Sequence, residues 1–317
     1  MRLFHQLLLV SLFFVGFTFA SAAEMDPMKK YLIIHADDAG MSHSVNLATI
    51  EGMEKGIVSS CSIMVPCPWF KEFAEYAVAN PTKDYGLHLT LNSEWKHYKW
   101  GPVAPREKVP SLLDSEGYLW DDVPLVLMNA KASEVETELR AQIDRALAFK
   151  IPVSHLDTHM GALVCRPDIL EVYIRMGLEY KIPLMIIKQP DAPSTKAFPW
   201  LAAKIAELRP LVEESGFPIL DSLIRFNSGD TLEQRKAIYL KDLRDIKPGL
   251  HQLIIHCGIA NEELQGITGT WKKRDADLRV FTDPEVIAEI KRLGIEVITW
   301  KQAHDMVQSK KTADASN

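Results

Sequence analysis

Residues 31–40 read YLIIHADDAG, an apolar run that ends in two adjacent carboxylates, Asp37 and Asp38. A continuous apolar run bounded by a turn signal is typical of a buried parallel strand, and Ser42 or Ser44 would cap a helix just beyond it. Neighbouring side chains on an extended strand point to opposite faces, so the two carboxylates need not share one role. One could bind a metal while the other handles protons. A strand-ending turn with one capping carboxylate explains the pair equally well.

The chain beyond this strand continues to alternate strands and helices. Seven or eight strand–helix units can be counted as far as residue 299, including a clear amphipathic helix over residues 132–150. This alternation predicts parallel strands joined by right-handed crossovers. We therefore predict an α/β fold with a single, somewhat irregular (β/α) barrel of the TIM type, and a doubly wound open sheet is the alternative. The catalytic domain is expected to span residues 24–308, and residues 309–317 are expected to form a flexible tail.

Three further segments matter for the interpretation. Residues 92–130 lose the regular pattern and contain several aromatic side chains, among them Trp95 and Trp100. Such aromatics could stack on sugar rings, or they could pack the segment onto the barrel. A strand is predicted at residues 183–187 and a loop at residues 262–282.

Composition limits the classes of partner. The 317 residues carry a formal net charge of -6, with 47% hydrophobic and 25% charged residues, as in an ordinary soluble globular protein. The negative charge argues against nucleic acid or an anionic membrane surface as the main partner, and it favours a neutral or cationic substrate. A homodimer is neither indicated nor excluded by the sequence.

The first 23 residues have the layout of a secretory signal peptide. An apolar stretch at residues 7–19 is followed by Ala20-Ser21-Ala22, a pattern of small residues at a cleavage site. We expect export to a periplasm or to the medium, with no stable membrane anchor after cleavage. An uncleaved anchor is the alternative, but the apolar stretch is shorter than the roughly 20 residues that span a bilayer.

The cysteines do not indicate a disulfide framework. There are four of them, Cys61, Cys67, Cys165 and Cys257, and no CxxC spacing occurs. Buried free thiols are the expected state, and a bridge between Cys61 and Cys67 is the alternative.

Polar side chains lie in or just after four different predicted strands. They are Asp37, Asp38, His88, Asp157, His159 and His256. A single His on an apolar strand is more often a core residue than a ligand. In a parallel barrel, however, the carboxyl-terminal ends of the strands meet at one rim, where barrel enzymes place their active sites. We therefore predict that these residues form one cluster.

Two imidazoles and one carboxylate suit a divalent transition metal or a hydrated Mg²⁺, with positions left open for water and substrate. Such a site hydrolyses bonds: the metal polarises a carbonyl, a free carboxylate takes a proton from water, and a His opposite protonates the departing group. The sequence contains no nucleophilic-Ser elbow, Walker loop or dinucleotide glycine fingerprint. Two alternatives remain. One is a metal-independent glycosidase that uses Asp37 or Asp38 with Asp157, and the other is a non-catalytic carbohydrate-binding protein.

The motifs, taken together and in order, resemble those of the YdjC-like carbohydrate deacetylases, which include chitooligosaccharide deacetylase and the hopanoid-pathway deacetylases. The motifs are ADDAG at 36–40, GIVSS at 56–60, GLHLTL at 86–91, HLDTH at 155–159 and HCG at 256–258. The resemblance covers roughly residues 31–299. It implies a divergent (β/α) barrel, a divalent cation such as Mg²⁺ or Zn²⁺, and hydrolysis of an N-acetyl group on an amino sugar or oligosaccharide.

The resemblance also implies roles for individual residues. By position, it assigns three metal ligands, Asp38, His88 and His159. It makes Asp37 the general base and matches His256 to the general acid. His155 and Asp157 fall on the same motif as His159, and they would orient that ligand or close the site. The residues alone lead to the same cluster but do not choose His159 over His155.

Overall fold

The computed structural model describes residues 24–225 and 228–316 of the chain. The predicted signal peptide, residues 1–23, lies outside the described residues. Within the described part of the chain, none of the helices combines the length and the apolar character that crossing a bilayer requires.

Strand β1, Lys30–Ala39, contains most of the opening motif and lies in the middle of a parallel sheet. The strands that follow are β2 (Ser60–Ile63), β3 (Tyr85–Leu89), β4 (Val153–Thr158), β5 (Ser222–Ile224), β6 (Gly249–Ile255) and β7 (Ile295–Val297). Leu32 and Ile34 belong to the main hydrophobic core, whereas Tyr31 and Ile33 pack in a second cluster with Trp300. Burial on both faces is what the apolar run predicted.

Helices connect and cover the strands. They are α1 (His43–Lys55), α2 (Phe70–Ala79), α3 (Val123–Asn129), α4 (Ala132–Ala148), α5 (Pro167–Tyr180), α6 (Ala192–Ala197), α7 (Leu201–Glu214), α8 (Leu232–Asp245), α9 (Glu262–Ile267), α10 (Trp271–Thr282), α11 (Pro284–Arg292) and α12 (Trp300–Ser316). Ser42 caps α1, because its hydroxyl accepts a hydrogen bond from the N–H of Val45. Of the two caps that the sequence offered, Ser42 is therefore the one used.

The sheet is curled but open, so the closed barrel that we predicted is wrong in this respect. Six strands lie side by side in the order β4-β3-β2-β1-β6-β5, and β7 pairs with the first residues of β1. All of the described strand pairings are parallel. The α/β class and the barrel-like arrangement are confirmed.

The opening lies between β4 and β5. The strand predicted at residues 183–187 is not regular there, and the segment makes only single bridges, to Leu156 on β4 and to Leu220 before β5. Pro183 has no N–H, so its position can contribute only a carbonyl, which accepts from the N–H of Leu156. Leu156 exchanges backbone hydrogen bonds with Pro183 and Met185, and Leu220 exchanges them with Ile186 and Lys188. The segment therefore joins the two edges by two short pairings rather than by a continuous ladder.

The loop predicted at residues 262–282 is wrong, because α9 and α10 occupy it. The buried face of α10 includes Arg274 and Asp277 beside its apolar residues. A helix is predicted from apolar residues that recur every three to four positions on its buried face. Charged residues at some of these positions interrupt that pattern, so the helix is not recognised from the sequence. These two side chains lie at the functional site described below.

Helix α12 continues to Ser316, so the segment predicted as a flexible tail is helical as far as that residue. The start of this helix is well anchored. The indole N–H of buried Trp300 donates to Gln252 on β6 (2.9 Å), and the N–H of Lys301 donates to the buried carboxylate of Asp84 (2.9 Å). The final helix thus closes the sheet at the end opposite the polar motifs.

The cysteines are free thiols, and Cys61 and Cys67 are both buried. Burial raises the thiol pKa of each well above its ordinary value. Buried thiols of this kind are chemically inert and pack as small apolar groups, which was the expected state.

A buried polar network holds the long loop after β3. Glu138 on α4 accepts hydrogen bonds from the N–H groups of Val103 and Ala104, both at 2.9 Å. Gln142, one turn further along, donates to Glu138 and to the carbonyl of Thr90. Burial raises the pKa of Glu138 from its ordinary value of 4.5 to about 7. The attachment of the loop therefore depends on a carboxyl group that titrates near neutral pH.

We expect the contribution of Glu138 to stability to fall as the pH rises from about 4.5 to about 7, because the folded protein binds this proton more tightly than the unfolded chain does. At about 1.4 kcal/mol per pKa unit, the loss amounts to roughly 3 kcal/mol. Urea unfolding of the wild type and of Glu138→Gln across this pH range measures it. The variant should be less stable at the acid end, because an amide cannot accept all of these bonds, but its free energy of unfolding should depend less on pH. Equal pH slopes in the two proteins would contradict this prediction.

Candidate active site

Asp37 and Asp38 lie near the end of β1, where the backbone leaves the extended conformation. Asp38 has a φ of 71°, in the left-handed region that Asp tolerates better than most residues. Gly40 follows at a φ of 87°, and a Cβ there would lie 3.2 Å from the carbonyl oxygen of Met64. The left-handed residue interrupts the alternation of the strand, and both carboxylates line one cavity. The opposite-face arrangement expected from the sequence therefore does not hold here.

Three residues from the ends of β1, β3 and β4 meet in this cavity. One ligand-type atom from each of Asp38, His88 and His159 lies within 4.8 Å of the other two. Oδ1 of Asp38 is 3.4 Å from Nε2 of His88 and 3.4 Å from Nδ1 of His159. This oxygen is buried and makes no hydrogen bond to any described residue. Its environment is therefore incomplete without a further group between the carboxylate and the two imidazoles.

Each of these three side chains has a charged partner that contacts the atom directed away from the other two. Nδ1 of His88 donates to Oδ1 of Asp157 (2.7 Å), which leaves Nε2 directed at Asp38. Nε2 of His159 contacts Oε2 of Glu94 (3.0 Å), which leaves Nδ1 directed at Asp38. Such partners fix the tautomer and the orientation of an imidazole ligand.

The carboxylate of Asp38 is anchored in the same way. Its second oxygen, Oδ2, accepts a hydrogen bond of 2.6 Å from Nη2 of Arg274 on α10. Burial alone would raise the pKa of Asp38, but the Arg274 guanidinium and the imidazoles of His159 and His256 together outweigh burial and hold the pKa well below its ordinary value. Asp38 is therefore ionised across the physiological range, as a metal ligand must be.

The residues fit a divalent cation. A carboxylate and two imidazoles are common ligands of such ions, and bond lengths of roughly 2.1 Å in a tetrahedral site place neighbouring ligand atoms about 3.4 Å apart. Both distances from Asp38, 3.4 Å to His88 and 3.4 Å to His159, match that separation. Two other groups, His35 with His155 and Asp157, and Asp37 with His88 and Asp157, also bring ligand-type atoms together. In both groups Asp157 is already hydrogen-bonded, to His35 at 2.9 Å and to His88 at 2.7 Å, which gives the set around Asp38 the better fit.

Asp37 lies beside this set and is less constrained. Its Oδ1 is buried without a hydrogen bond to any described residue, and the nearest imidazole nitrogen, Nε2 of His35, is 3.4 Å away. Its Oδ2 lies 3.7 Å from Nε2 of His88 and 3.8 Å from Nε2 of His256. Burial raises the pKa of Asp37 to about 7, although the imidazoles around it oppose this effect.

His256 follows β6 and faces Asp37 across the cavity. Its side chain is 42% exposed, unlike the buried imidazoles of His88 and His159. The backbone N–H of His256 donates to Oδ2 of Asp277 on α10 at 3.0 Å. The ring is thus open to a ligand in the cavity while the backbone is fixed.

Asp157 holds an imidazole of the cluster, as the resemblance implied, but that imidazole is His88 rather than His159, and His155 lies apart from both. Asp157 contacts His88 and His35, and Glu94 is the carboxylate at His159. The ring of His155 is buried, stacks on Trp300 with 4.7 Å between ring centroids, and contacts Ser154 through Nδ1 (2.9 Å). Burial lowers its pKa well below the ordinary value, so the ring is neutral at pH 7. His155 is therefore placed to pack the interior of the sheet, and the described contacts do not bring it to His159.

The cavity that contains these residues has a volume of ≈ 680 Å³. Beyond the polar cluster it extends along the opening of the sheet, where apolar side chains such as Tyr173, Met185 and Leu223 line it. Trp95, from the loop after β3, also lines the cavity, whereas Trp100 is buried and donates its indole N–H to the carbonyl of Asn92 (3.1 Å). Of the two uses suggested for the aromatics, packing holds for Trp100, and Trp95 stays available to a ligand.

Four residues at the site were not predicted from the sequence: His35, Glu94, Arg274 and Asp277. His35 lies two residues before Asp37 on β1. Side chains two residues apart on a strand point to the same face, so this spacing could have identified His35 from the sequence. Glu94 lies in an irregular loop, and Arg274 and Asp277 lie on the helix that was taken for a loop. No spacing in the sequence relates these three to the strand ends, because only tertiary contacts bring them there.

The sequence matches the family described as YdjC-like protein over residues 31–292. The chain belongs to the YdjC-like family. The resemblance that the sequence motifs indicated is thereby confirmed. A carbohydrate deacetylase from Thermus thermophilus is 33% identical over 281 residues, which cover 87% of this chain and 95% of that protein. One from Brevibacillus brevis is 28% identical over 274 residues, which cover 86% and 98%.

A solved structure shares the fold of this YdjC-like chain. It is described as a putative cellobiose-phosphate cleavage protein from Enterococcus faecalis, and it superimposes with a TM-score of 0.72 at 25% sequence identity. The match covers 86% of this chain and 98% of the other. The curled, parallel sheet is therefore an architecture already present among solved structures.

Proposed function

We propose that this YdjC-like protein is a metal-dependent carbohydrate deacetylase, a hydrolase that removes the N-acetyl group from an amino sugar or oligosaccharide. One observation carries the proposal: a buried, unbonded carboxylate oxygen of Asp38 faces two oriented imidazoles, and a second carboxylate, Asp37, stands beside them. Membership of a family whose curated relatives are named carbohydrate deacetylases supports the substrate class.

Asp38, His88 and His159 would hold the divalent cation. When bound, the cation would polarise the acetyl carbonyl and lower the pKa of a water molecule. The chain's own contribution is to orient these three ligands through Arg274, Asp157 and Glu94 and to keep them in a largely buried cavity. Mg²⁺ and Zn²⁺ both remain candidates, because carboxylate and imidazole serve either.

Asp37 is the general base of this proposal. Its carboxylate is not among the three ligands, and it lies in the same cavity with one oxygen free of hydrogen bonds to described residues. A pKa near 7 matches the requirement that a general base be ionised yet able to take a proton at the working pH. Asp37 would take the proton of the attacking water.

His256 is the general acid of this proposal. Desolvation inside the cavity lowers the pKa of its imidazole to about 3, so the ring rests neutral, and it would receive the proton that it passes to the departing nitrogen from Asp37, whose Oδ2 lies 3.8 Å away. Cleavage of an amide requires protonation of the departing nitrogen, since a free amide anion is a very poor leaving group. The His256 ring is exposed to the cavity and lies 3.8 Å from Asp37, so base and acid flank the same space. Trp95, at the edge of that space, would stack on a sugar ring.

The glycosidase alternative is not favoured. It needs Asp157 as the partner of Asp37 or Asp38, free to reach a substrate. Asp157 is almost completely buried, both of its oxygens accept hydrogen bonds from imidazoles, and it is not among the described residues that line the cavity. The Asp157 carboxylate therefore orients the His88 imidazole and is not available to a substrate.

We also propose that the protein is exported. The support is the signal-peptide pattern of residues 1–23. Amino-terminal sequencing of the protein purified from its host tests this directly. A mature chain starting near Ala23 is the expected result, and an intact Met1 in the soluble cell contents would contradict it.

Acetate release tests the proposed activity. Purified protein is assayed on a panel of N-acetylated mono- and oligosaccharides before chelation, after chelation, and after return of Mg²⁺ or Zn²⁺. We expect release of acetate that chelation abolishes and one of the two ions restores. Release of a reducing sugar without acetate would instead identify a glycosidase, and sugar binding without any turnover would identify a binding protein.

We expect Glu94→Ala to weaken cation affinity by about 10- to 100-fold, because Glu94 orients the His159 ring from outside the ligand set. Titration of the metal-free protein with Zn²⁺ measures the affinity. Glu116→Ala, an exposed substitution in the same long loop, is the matched control and should bind as tightly as the wild type. Equal affinities for all three proteins would mean that Glu94 does not support a metal ligand.

A further inference from the structure

A buried cluster of three polar residues stands behind His256 and is not used by the reaction described above. Asp277 on α10 lies at its centre, and its Oδ1 accepts hydrogen bonds from Nε of Arg235 (2.7 Å) and from the hydroxyl of Tyr239 (2.7 Å), both on α8. All three side chains are at least nine-tenths buried, yet all three border the active-site cavity. Helices α8 and α10 are therefore joined by an ion pair at the wall of the site.

The second oxygen of Asp277 reaches the catalytic strand. Oδ2 accepts the hydrogen bond from the backbone N–H of His256, the first residue after β6. One turn earlier on the same helix, the carbonyl of Arg274 accepts a hydrogen bond from the N–H of Gly258 (3.2 Å). The segment 256–258 is thus attached to α10 at both ends. A Cβ at Gly258 would lie 2.9 Å from Cβ of Arg274, so the two backbones are in close contact.

Among the described residues, no hydrogen bond fixes the imidazole ring of His256 itself. The carboxylate oxygen found within 4.0 Å of this ring is Oδ2 of Asp37, at 3.8 Å. His88 and His159, by contrast, each have a ring nitrogen fixed by a carboxylate. The position of the His256 ring therefore follows from where its backbone is held.

We infer that Asp277, fixed by Arg235 and Tyr239, is a positioning residue that sets the place of the His256 ring through its backbone N–H. This inference rests on the proposed function, in which His256 protonates the departing amine. A buried ion pair is a weak source of net stability, because desolvation of the two charges opposes their attraction. A role in holding a neighbouring catalytic group accounts for its presence at this site.

A double-mutant cycle tests the inference. Asp277→Asn is made in the wild type and in His256→Ala, and acetate release, cation content and thermal stability are measured for all four proteins. We expect Asp277→Asn to lower kcat by about 10- to 100-fold in the wild-type background, with little change in KM or in bound metal. In the His256→Ala background it should have almost no further effect, because the group through which it acts is absent.

Two further variants guard against simple misfolding. Asp277→Ala combined with Arg235→Met removes both charges, so no unpaired buried charge remains. Like Asp277→Asn, this double variant should lower kcat in the wild-type background and have almost no further effect in the His256→Ala background. Lys236→Gln is the matched control. This residue neighbours Arg235 on α8 and pairs with Asp283 just after α10, but it does not border the described cavity, so kcat should be unchanged.

The outcomes separate this inference from the proposed function. No acetate release by the wild type would overturn the proposed function and the inference with it. Release by the wild type, with equal losses from Asp277→Asn in both backgrounds, would overturn the inference alone, because it would show a general structural role. Loss of bound cation in Asp277→Asn would do the same, since the effect would then lie at the metal ligands.

Discussion

Asp37→Asn is expected to abolish most acetate release while leaving the bound cation in place. The amide has nearly the shape of the carboxylate but cannot take a proton, so the loss should be that of a general base, roughly 10²- to 10⁴-fold in kcat. KM should change little, because Asp37 is proposed to act on water rather than on the sugar. Single-turnover acetate release and metal analysis of the same preparation measure both quantities.

The matched control for this prediction is the neighbouring carboxylate. Asp38→Asn changes the same functional group one residue further along the chain, but it should remove the cation as well as the activity. A finding that Asp37→Asn also loses its cation would mean that Asp37 is a ligand and that the assignment of the pair is reversed. Retention of activity by Asp37→Asn would remove it from the mechanism altogether.

His88→Ala and His159→Ala are expected to lose the bound cation and, with it, the activity. Each substitution removes one of the two imidazole nitrogens that face the unbonded oxygen of Asp38. Substitution of groups that merely orient a ligand costs roughly 10- to 100-fold in metal affinity, so removal of a ligand itself should cost more than about 100-fold. Metal content after dialysis against a weak chelator, together with acetate release, provides the measurement.

His256→Ala separates the two kinds of imidazole. It should lose activity but retain the cation, because the His256 ring is exposed to the cavity and is not part of the ligand set. If His256→Ala loses the cation while His88→Ala or His159→Ala retains it, the metal site is built differently from the one proposed. Circular dichroism of each variant confirms that the fold survives, since His88 and His159 are buried.

Much of the sheet could be read from apolar runs that are local in sequence. The strands β1, β3, β4 and β6 end at or next to the polar residues that the alternation placed at predicted strand ends, and α4 lies close to the helix predicted over residues 132–150. The segment predicted as a strand at residues 183–187 has a partner on each side but forms only isolated bridges to Leu156 and Leu220, and Pro183 at its start cannot donate a backbone hydrogen bond. The α9–α10 segment failed because the inward face of α10 carries Arg274 and Asp277, whose partners are far away in sequence.

The sequence by itself determined the family, the parallel α/β plan and the residues that meet at the strand ends. This was possible because strand polarity carries Asp38, His88 and His159 to one edge wherever parallel strands lie side by side. Tertiary structure decided which charged group orients each of them: Arg274 contacts Asp38, Asp157 contacts His88 and Glu94 contacts His159. It also decided that both adjacent carboxylates face one cavity, since that depends on a left-handed residue at Asp38. Contacts between distant segments and a single backbone angle leave no periodic trace in the sequence, so only the folded chain reveals them.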